Sequence, residues 1–186
     1  GTDPNDMELF NLDKNPVEES TPVFKNIYIS NVTAREVKCA AGYIYGIPEM
    51  PVTSLHVDNF VCSMTKGEHN VASSPIMAWH VEPTKGYGFF CANMKDVSFN
   101  NVHLDVEKSS SIIIEKSELV KVSGLTSEGS NTAVEVKSSK DIMISNSMIS
   151  PTASDFIHAD SESQKTLAVN GVAKSKDNQE IVKVID

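Results

Sequence analysis

Arginine is nearly missing from this chain: Arg35 is the only one among 186 residues, and the lysines are spread thinly through a sequence of net charge −9. Nucleic acids and anionic membrane surfaces both need a clustered positive face, so neither is expected as a partner. No apolar run approaches the roughly eighteen residues of a membrane-crossing helix, and the chain reads as one soluble globular unit large enough to bury a core. The opening residues have no basic start, apolar stretch and small-residue cleavage site in succession, so no compartment can be read from them. Three cysteines, Cys39, Cys62 and Cys91, lack C-x-x-C spacing and sit among apolar neighbours. Buried thiols are expected there rather than a disulfide framework or a metal site.

What the chain does have is one short phrase written repeatedly. "KNIYISNV" at 25–32 returns as "TSLHVDNF" at 53–60, "KDVSFNNV" at 95–102 and "KDIMISNS" at 140–147. Aligned on its last polar position, the phrase gives Asn31, Asn59, Asn101, Gly124, Asn146 and Gly171, at intervals of 28, 42, 23, 22 and 25. Periods in this range mark a repeat architecture. Four and two residues before each slot stand Ile27/Ile29, Leu55/Val57, Val97/Phe99, Val120/Val122, Ile142/Ile144 and Leu167/Val169. This period of two predicts strands with one buried face.

A second apolar pattern begins just after the slot (Val32/Ala34, Phe60/Cys62, Val102/Leu104). A third lies about a dozen residues ahead of each phrase: "GYIYG", "GFFCA", "SIIIE", "AVEVK" and "DFIHA". Three short strands in about 23 residues leave no room for a crossover helix, so each strand must pair in parallel with its copy one coil on. The expected fold is all-β, a single-stranded parallel β-helix of about six coils, right-handed because parallel crossovers nearly always are. The slots become corners, where Asn or Gly tolerates the left-handed conformation and an Asn amide can bond to the next rung. An inward-pointing Asn is expected at them. On that ground the acceptor pattern Asn31-Val32-Thr33 is set aside as a glycosylation site.

Residues 1–20 are polar and acidic and read as a tail or cap; 21–186 read as the β-helix. The long interval places surplus chain at 63–88, as an extra coil or a lateral loop, and this stretch holds Trp79, His69 and His80. An exposed indole on such a loop could stack on a sugar. His69 and His80 show no metal-ligand spacing with a third donor and read as surface residues. His56 and His103 fall one residue off the inward face, and His158 is expected to face outward. The final "EIVKVID" is expected to cover the last coil.

The stretch "TPVFKNIYISNVTAREVKCAAGYIYGIPEMPVTSLHVDNF" and the later "GYGFFCANMKDVSFNNVHL" resemble the downstream part of the pectin-cleaving glycoside hydrolases of family 28, over about residues 21–150. The "GIPEMP" segment at 46–51 is the more specific element. The resemblance implies a right-handed parallel β-helix, an inverting polysaccharide hydrolase, a plant-type polysaccharide as partner and an extracellular or periplasmic setting. The family's N-T-D, D-D, G-H-G and R-I-K motifs, which precede the matching coil, do not occur here. No catalytic residue is therefore transferred, and no metal or cofactor is expected. Glu18, Glu19 and Glu49 are ordinary acids on this reading. Trp79 and Glu49 remain as candidate substrate-binding residues.

The leading expectation is thus a C-terminal β-helix segment of a family 28-like enzyme, inactive alone. A non-catalytic carbohydrate- or protein-binding β-helix is the alternative, and a complete enzyme with an unrecognised carboxylate pair is a third option. Three unpaired strand edges at the first coil would call for upstream coils, a second copy or residues 1–20 to cover them.

Overall fold

The computed structural model describes residues 13–67, 86–107, 109–148, 150–153, 155–174, 176–177 and 179–185. Among the described residues, twelve strands alternate between two sheets. Sheet A holds β1 (Lys25–Val37), β3 (Val52–Met64), β5 (Met94–Asp105), β7 (Glu118–Glu128), β9 (Lys140–Ser145) and β11 (Leu167–Asn170), side by side in that order. Sheet B holds β2 (Ala40–Tyr45), β4 (Tyr87–Ala92), β6 (Ile112–Glu115), β8 (Thr132–Lys137), β10 (Asp155–Asp160) and β12 (Glu180–Ile185). Each strand pairs in parallel with the strand two places on, and the chain is a parallel β-solenoid of about six turns.

The period-two residues stack in register. Ile27, Leu55, Val97, Val120, Ile142 and Leu167 form one column, and Ile29, Val57, Phe99, Val122, Ile144 and Val169 the next. Ile44, Cys91, Ile114 and Val136 face them from sheet B. Side chains of the middle coils are fully buried, Val57, Phe99, Ile114 and Ile144 among them. Each contributes on the order of 1.5–3 kcal/mol by leaving water.

The repeated slot is a bend inside the long strands. All six slot residues are left-handed, with φ from 50° at Asn146 to 69° at Gly124, and pairing continues on both sides, as Ile29 with Val57 and Val32 with Phe60. In the last coils the second arm shrinks to single bridges linking Thr126, Met148 and Ala173.

The Asn side chains do not point inward as expected; Asn31, Asn59, Asn101 and Asn146 are exposed. One left-handed residue resets the strand's alternation, so the slot and the residue before it both face solvent while the residue after it turns in. A ladder forms on the outside: Asn59 Nδ2 donates to Asn31 Oδ1 at 3.2 Å, and Asn101 Nδ2 to Asn59 Oδ1 at 2.7 Å. Burial is therefore no argument against the Asn31 acceptor pattern.

Two further rows of left-handed residues are stacked beside this one. Asn26, Ser54, Asp96, Leu119 and Asp141 open the sheet A strands, and Asn93, Lys116 and Ser138 turn the chain from sheet B to sheet A. A buried serine ladder supports this second corner. Met94 N donates to Ser117 Oγ at 3.1 Å, Ser117 N to Ser139 Oγ at 3.1 Å, and Ser139 N to Ser163 Oγ at 2.9 Å. Ser163 belongs to the single-turn helix α1 (Ser161–Gln164), whose N-cap is Asp160.

Because β3 pairs with β5 and β2 with β4, no strand of the described residues intervenes between those coils. Residues 68–85 of the surplus stretch lie outside the described residues. At the first coil, Ile27, Ile29, Val32 and Ile44 are only partly buried, and a cavity of about 260 Å³ opens between the sheets there. Described residues 13–20 are exposed, with Asn15 N donating to Glu49 Oε2 at 3.4 Å.

Candidate functional site

Alternation along sheet B sends Tyr43 and Tyr45 to its outer face, and the parallel register continues both columns. Tyr43 is followed by Phe90, Ile113, Glu135, His158 and Lys183. Tyr45 is followed by Ala92, Glu115 and Lys137. One face thus changes along the solenoid axis from aromatic to charged.

The aromatic half is an ordered platform. Tyr43 and Phe90 centroids lie 5.2 Å apart, and Tyr45 is parallel to Phe90 within 6° at 6.3 Å. Partial burial, and then the charge of Glu115, push the Tyr45 hydroxyl above its ordinary value, which ties the platform's edge to the first carboxylate.

In the charged half, Lys137 Nζ lies 3.0 Å from Glu135 Oε2 and 3.9 Å from Glu115 Oε1, and Ser110 Oγ donates to Glu135 Oε1. Desolvation alone would lower the Lys137 ammonium. The hydrogen bond and charge of Glu135, with Glu115 behind them, outweigh it and raise the group. Glu115 and Glu135 are diagonal neighbours on adjacent strands, a placement that puts Cα atoms about 7–8 Å apart. Inverting hydrolysis needs one protonated and one ionised carboxyl across a gap of about 6.5–9.5 Å. Here both carboxylates are engaged by one ammonium, with the Glu115 side chain 30% and the Glu135 side chain 22% exposed.

One coil further on, His158 Nε2 meets Asp155 Oδ1 at 2.7 Å; the Asp155 side chain is only 4% exposed. Thr132 Oγ1 donates to the same Oδ1 at 3.0 Å and lies 3.3 Å from the same His158 nitrogen. A nucleophilic triad needs one ring nitrogen for the carboxylate and the other for the hydroxyl. With both partners at Nε2 this cluster is a fixed structural knot. On sheet A, His56 Nδ1 bonds Ser98 Oγ at 2.8 Å under the stacked Tyr28 ring, while Asp58 accepts from Asn100 Nδ2 at 2.9 Å. No carboxylate orients that imidazole in these bonds.

Of the residues singled out in the sequence, Trp79, His69 and His80 lie outside the described residues. Glu49 sits in the turn after Gly46, away from the outward columns of sheet B in the chain, with its carboxylate accepting from Asn15 N. Glu18 and Glu19 are exposed in the segment before β1. His103 lies beside Glu128 at 3.6 Å, and His158 is on the outer face as expected. Among the described residues, no group of three His, Cys, Asp or Glu could hold a metal, and no helix is long and apolar enough to cross a membrane. All three cysteines are thiols; Cys62 and Cys91 are buried.

The platform was hidden in the sequence because Tyr43, Tyr45 and Phe90 sit inside apolar clusters that read as core. A strict in-out alternation applied to "GYIYG" and "GFFCA" would have separated Tyr43, Tyr45 and Phe90 from the inward Ile44 and Cys91. Comparison with family models, with curated proteins and with solved structures finds no match to this chain.

Proposed function

We propose that this chain is a β-helix segment of a family 28-like, pectin-type polysaccharide hydrolase, and that it supplies part of the glycan-binding wall rather than the catalytic carboxylates. The observation that carries this reading is the outer face of sheet B, where Tyr43, Tyr45 and Phe90 run in register into Glu115, Lys137 and Glu135. A sugar presents an apolar C–H face and a rim of hydroxyls, and this surface offers a ring platform beside charged hydrogen-bonding groups. The motif resemblance at 21–150 points the same way. Among the described residues, Glu115 and Glu135 are both held by Lys137 on this face, an arrangement that suits binding.

Among the described residues, the partly buried apolar side chains Ile27, Ile29, Val32 and Ile44 of the first coil favour a further layer packed on that end. Asn31 Oδ1 is used by Asn59. A further coil, in the same polypeptide or from a second copy, would pair the edge of β1 and fill the apolar cavity beside Ile27 and Ile29.

The purified chain should release no reducing ends from polygalacturonan above the blank, yet be retarded in electrophoresis through pectin-containing gels. Replacing Tyr43 and Tyr45 together by Ala should cut that retardation at least threefold. Reducing-end release, or retardation indifferent to both tyrosines, overturns the reading.

A further inference from the structure

Asn31 is the only asparagine in the chain with Ser or Thr two positions on and no proline between, the acceptor pattern for N-linked sugars. The bend in β1 gives that pattern a geometry. Asn31 is left-handed at φ 57° and exposed, Val32 turns in against the core, and Thr33 comes back out and is exposed. Amide and hydroxyl therefore stand on one outer face, two residues apart. The Thr33 side chain makes no hydrogen bond with a described residue. Among the described residues β1 stands at one end of sheet A, with no strand screening it on that side.

The outer ladder has a direction that singles out the same residue. An Asn amide has an acceptor oxygen and a nitrogen with two protons. Asn59 Nδ2 donates to Asn31 Oδ1 at 3.2 Å, and Asn101 Nδ2 to Asn59 Oδ1 at 2.7 Å. The Asn31 oxygen is thus occupied, whereas its nitrogen makes no hydrogen bond with any described residue. Asn59 and Asn101 differ on both counts: their nitrogens are already donors, and Val61 and His103 stand where the hydroxyl would be needed.

We propose that Asn31 Nδ2 is the attachment site of an N-linked oligosaccharide, transferred from a pyrophosphate-linked donor. In that step Nδ2 bonds to the anomeric carbon of the first sugar. The bond from that carbon to the carrier oxygen breaks, its electron pair leaves on the pyrophosphate, and Nδ2 gives up one proton to the transferase. The amide oxygen is unchanged, so the bond from Asn59 survives. A bulky, hydrated group needs such a surface position. The Tyr43–Phe90 platform is on the other sheet and stays open. The proposal does not rest on the function proposed above.

Directing the chain through a eukaryotic secretory pathway with a cleavable signal tests it, with occupancy read by mass spectrometry on all translocated protein, secreted or retained. One glycan should be found, at Asn31, and peptide N-glycosidase F should release it and leave aspartate there. Thr33→Ser should keep the glycan and Thr33→Ala should lose it. An unoccupied Asn31 overturns the proposal. The glycosylated chain should also melt no lower than the same chain made without that pathway. Thr33→Ala/Val61→Thr moves the pattern to Asn59, through a position 43% exposed. Sugar on Asn59 displaces a ladder bond and should lower the thermal midpoint by roughly 2–4 °C against the unmodified double variant. An Asn59 left bare in that variant supports the proposal as well. A fall of that size on modification of Asn31 itself, or equal tolerance of sugar at both positions, overturns it.

Discussion

Asn101 Nδ2 donates to Asn59 Oδ1 at 2.7 Å, from one left-handed bend to the next, on the solvent side of the solenoid. Two properties of Asn are combined at that position, tolerance of positive φ and a side chain that is both donor and acceptor. The first should dominate, because a left-handed L-residue other than Asn costs roughly 1–2 kcal/mol while an exposed hydrogen bond contributes about 0.5–1.5. Asn101→Ala should therefore be less stable in urea unfolding than Asn101→Gly, by about 1 kcal/mol. At ordinary strand positions Ala is the better residue of the two. An Ala variant as stable as the Gly variant would show that the bend does not depend on the left-handed state.

The buried counterpart of that ladder is made of serine. Ser139 Oγ accepts from Ser117 N at 3.1 Å and donates to the Lys137 carbonyl at 2.8 Å, and its own N–H donates to Ser163 Oγ at 2.9 Å. Ser139→Ala keeps the last bond but leaves the Ser117 N–H without its partner in a site only 4% exposed. An unsatisfied buried donor costs about 1–3 kcal/mol. The midpoint of urea unfolding should fall accordingly with little change in slope. A loss under about 0.5 kcal/mol would mean that the corner backbone is satisfied in another way.

How much of this could be read from the sequence follows from which signals are apolar. The columns under Ile27 and Ile29 and the facing strands were legible because hydrophobic residues at period two have only one way to be buried. The slot's left-handed geometry was legible too, from Asn and Gly at one position. Its direction was not: alternation predicts inward or outward only while the strand is unbroken, and the bend at Asn31 breaks it. Ser117, Ser139 and Ser163 share the repeat's spacing at 22 and 24 residues, yet a small polar residue carries no burial signal, so the ladder passed for turn composition.

Acid should weaken the last corner first. Asp160 is partly desolvated, which alone would raise its carboxyl. Backbone N–H groups of Ser138 and Ser163, the Ser163 side chain and the Glu162 backbone outweigh this and hold it below the usual Asp value. The folded group thus loses its proton more readily than the unfolded one at about 3.9. Its contribution is present in full well above pH 4 and disappears as pH falls through the depressed folded value. In Asp160→Asn this part of the pH dependence should be absent, so its thermal midpoint should drop less than that of the parent between pH 5 and pH 2.5. Parallel curves would remove Asp160 from the acid response.

Thiol reactivity should report the packing of the coil interior. Cys62 is 1% exposed, and burial, with the nearby Asp105 charge, pushes its thiol up to about 11. Burial drives the Cys91 thiol up in the same direction. The thiolate is the reacting species, so both should stay silent toward Ellman's reagent at pH 8. Cys39, half-buried at the end of the first long strand, should react alone. One fast equivalent is expected in buffer and three in 6 M guanidinium. Two or more fast equivalents from the native protein would mean that the middle coils open on the timescale of the assay.

Leu119 is the odd member of a stacked row. Asn26, Ser54, Asp96 and Asp141 occupy the equivalent left-handed positions, and all are small polar residues that tolerate positive φ better than a branched apolar one. Leu119 has φ 56° and is 41% exposed, so it carries backbone strain without full burial in return. Leu119→Asn should raise stability by about 0.5–1 kcal/mol, as relief of part of a cost of roughly 1–2 kcal/mol for the left-handed conformation. Leu125→Asn is the control, at a position 1% exposed and without positive φ; burying an amide there should cost several kcal/mol or prevent folding. If Leu119→Asn instead lowers the thermal midpoint, the exposed leucine is stabilised by contacts that outweigh its strain, and the row of left-handed residues is not the limiting feature of this corner.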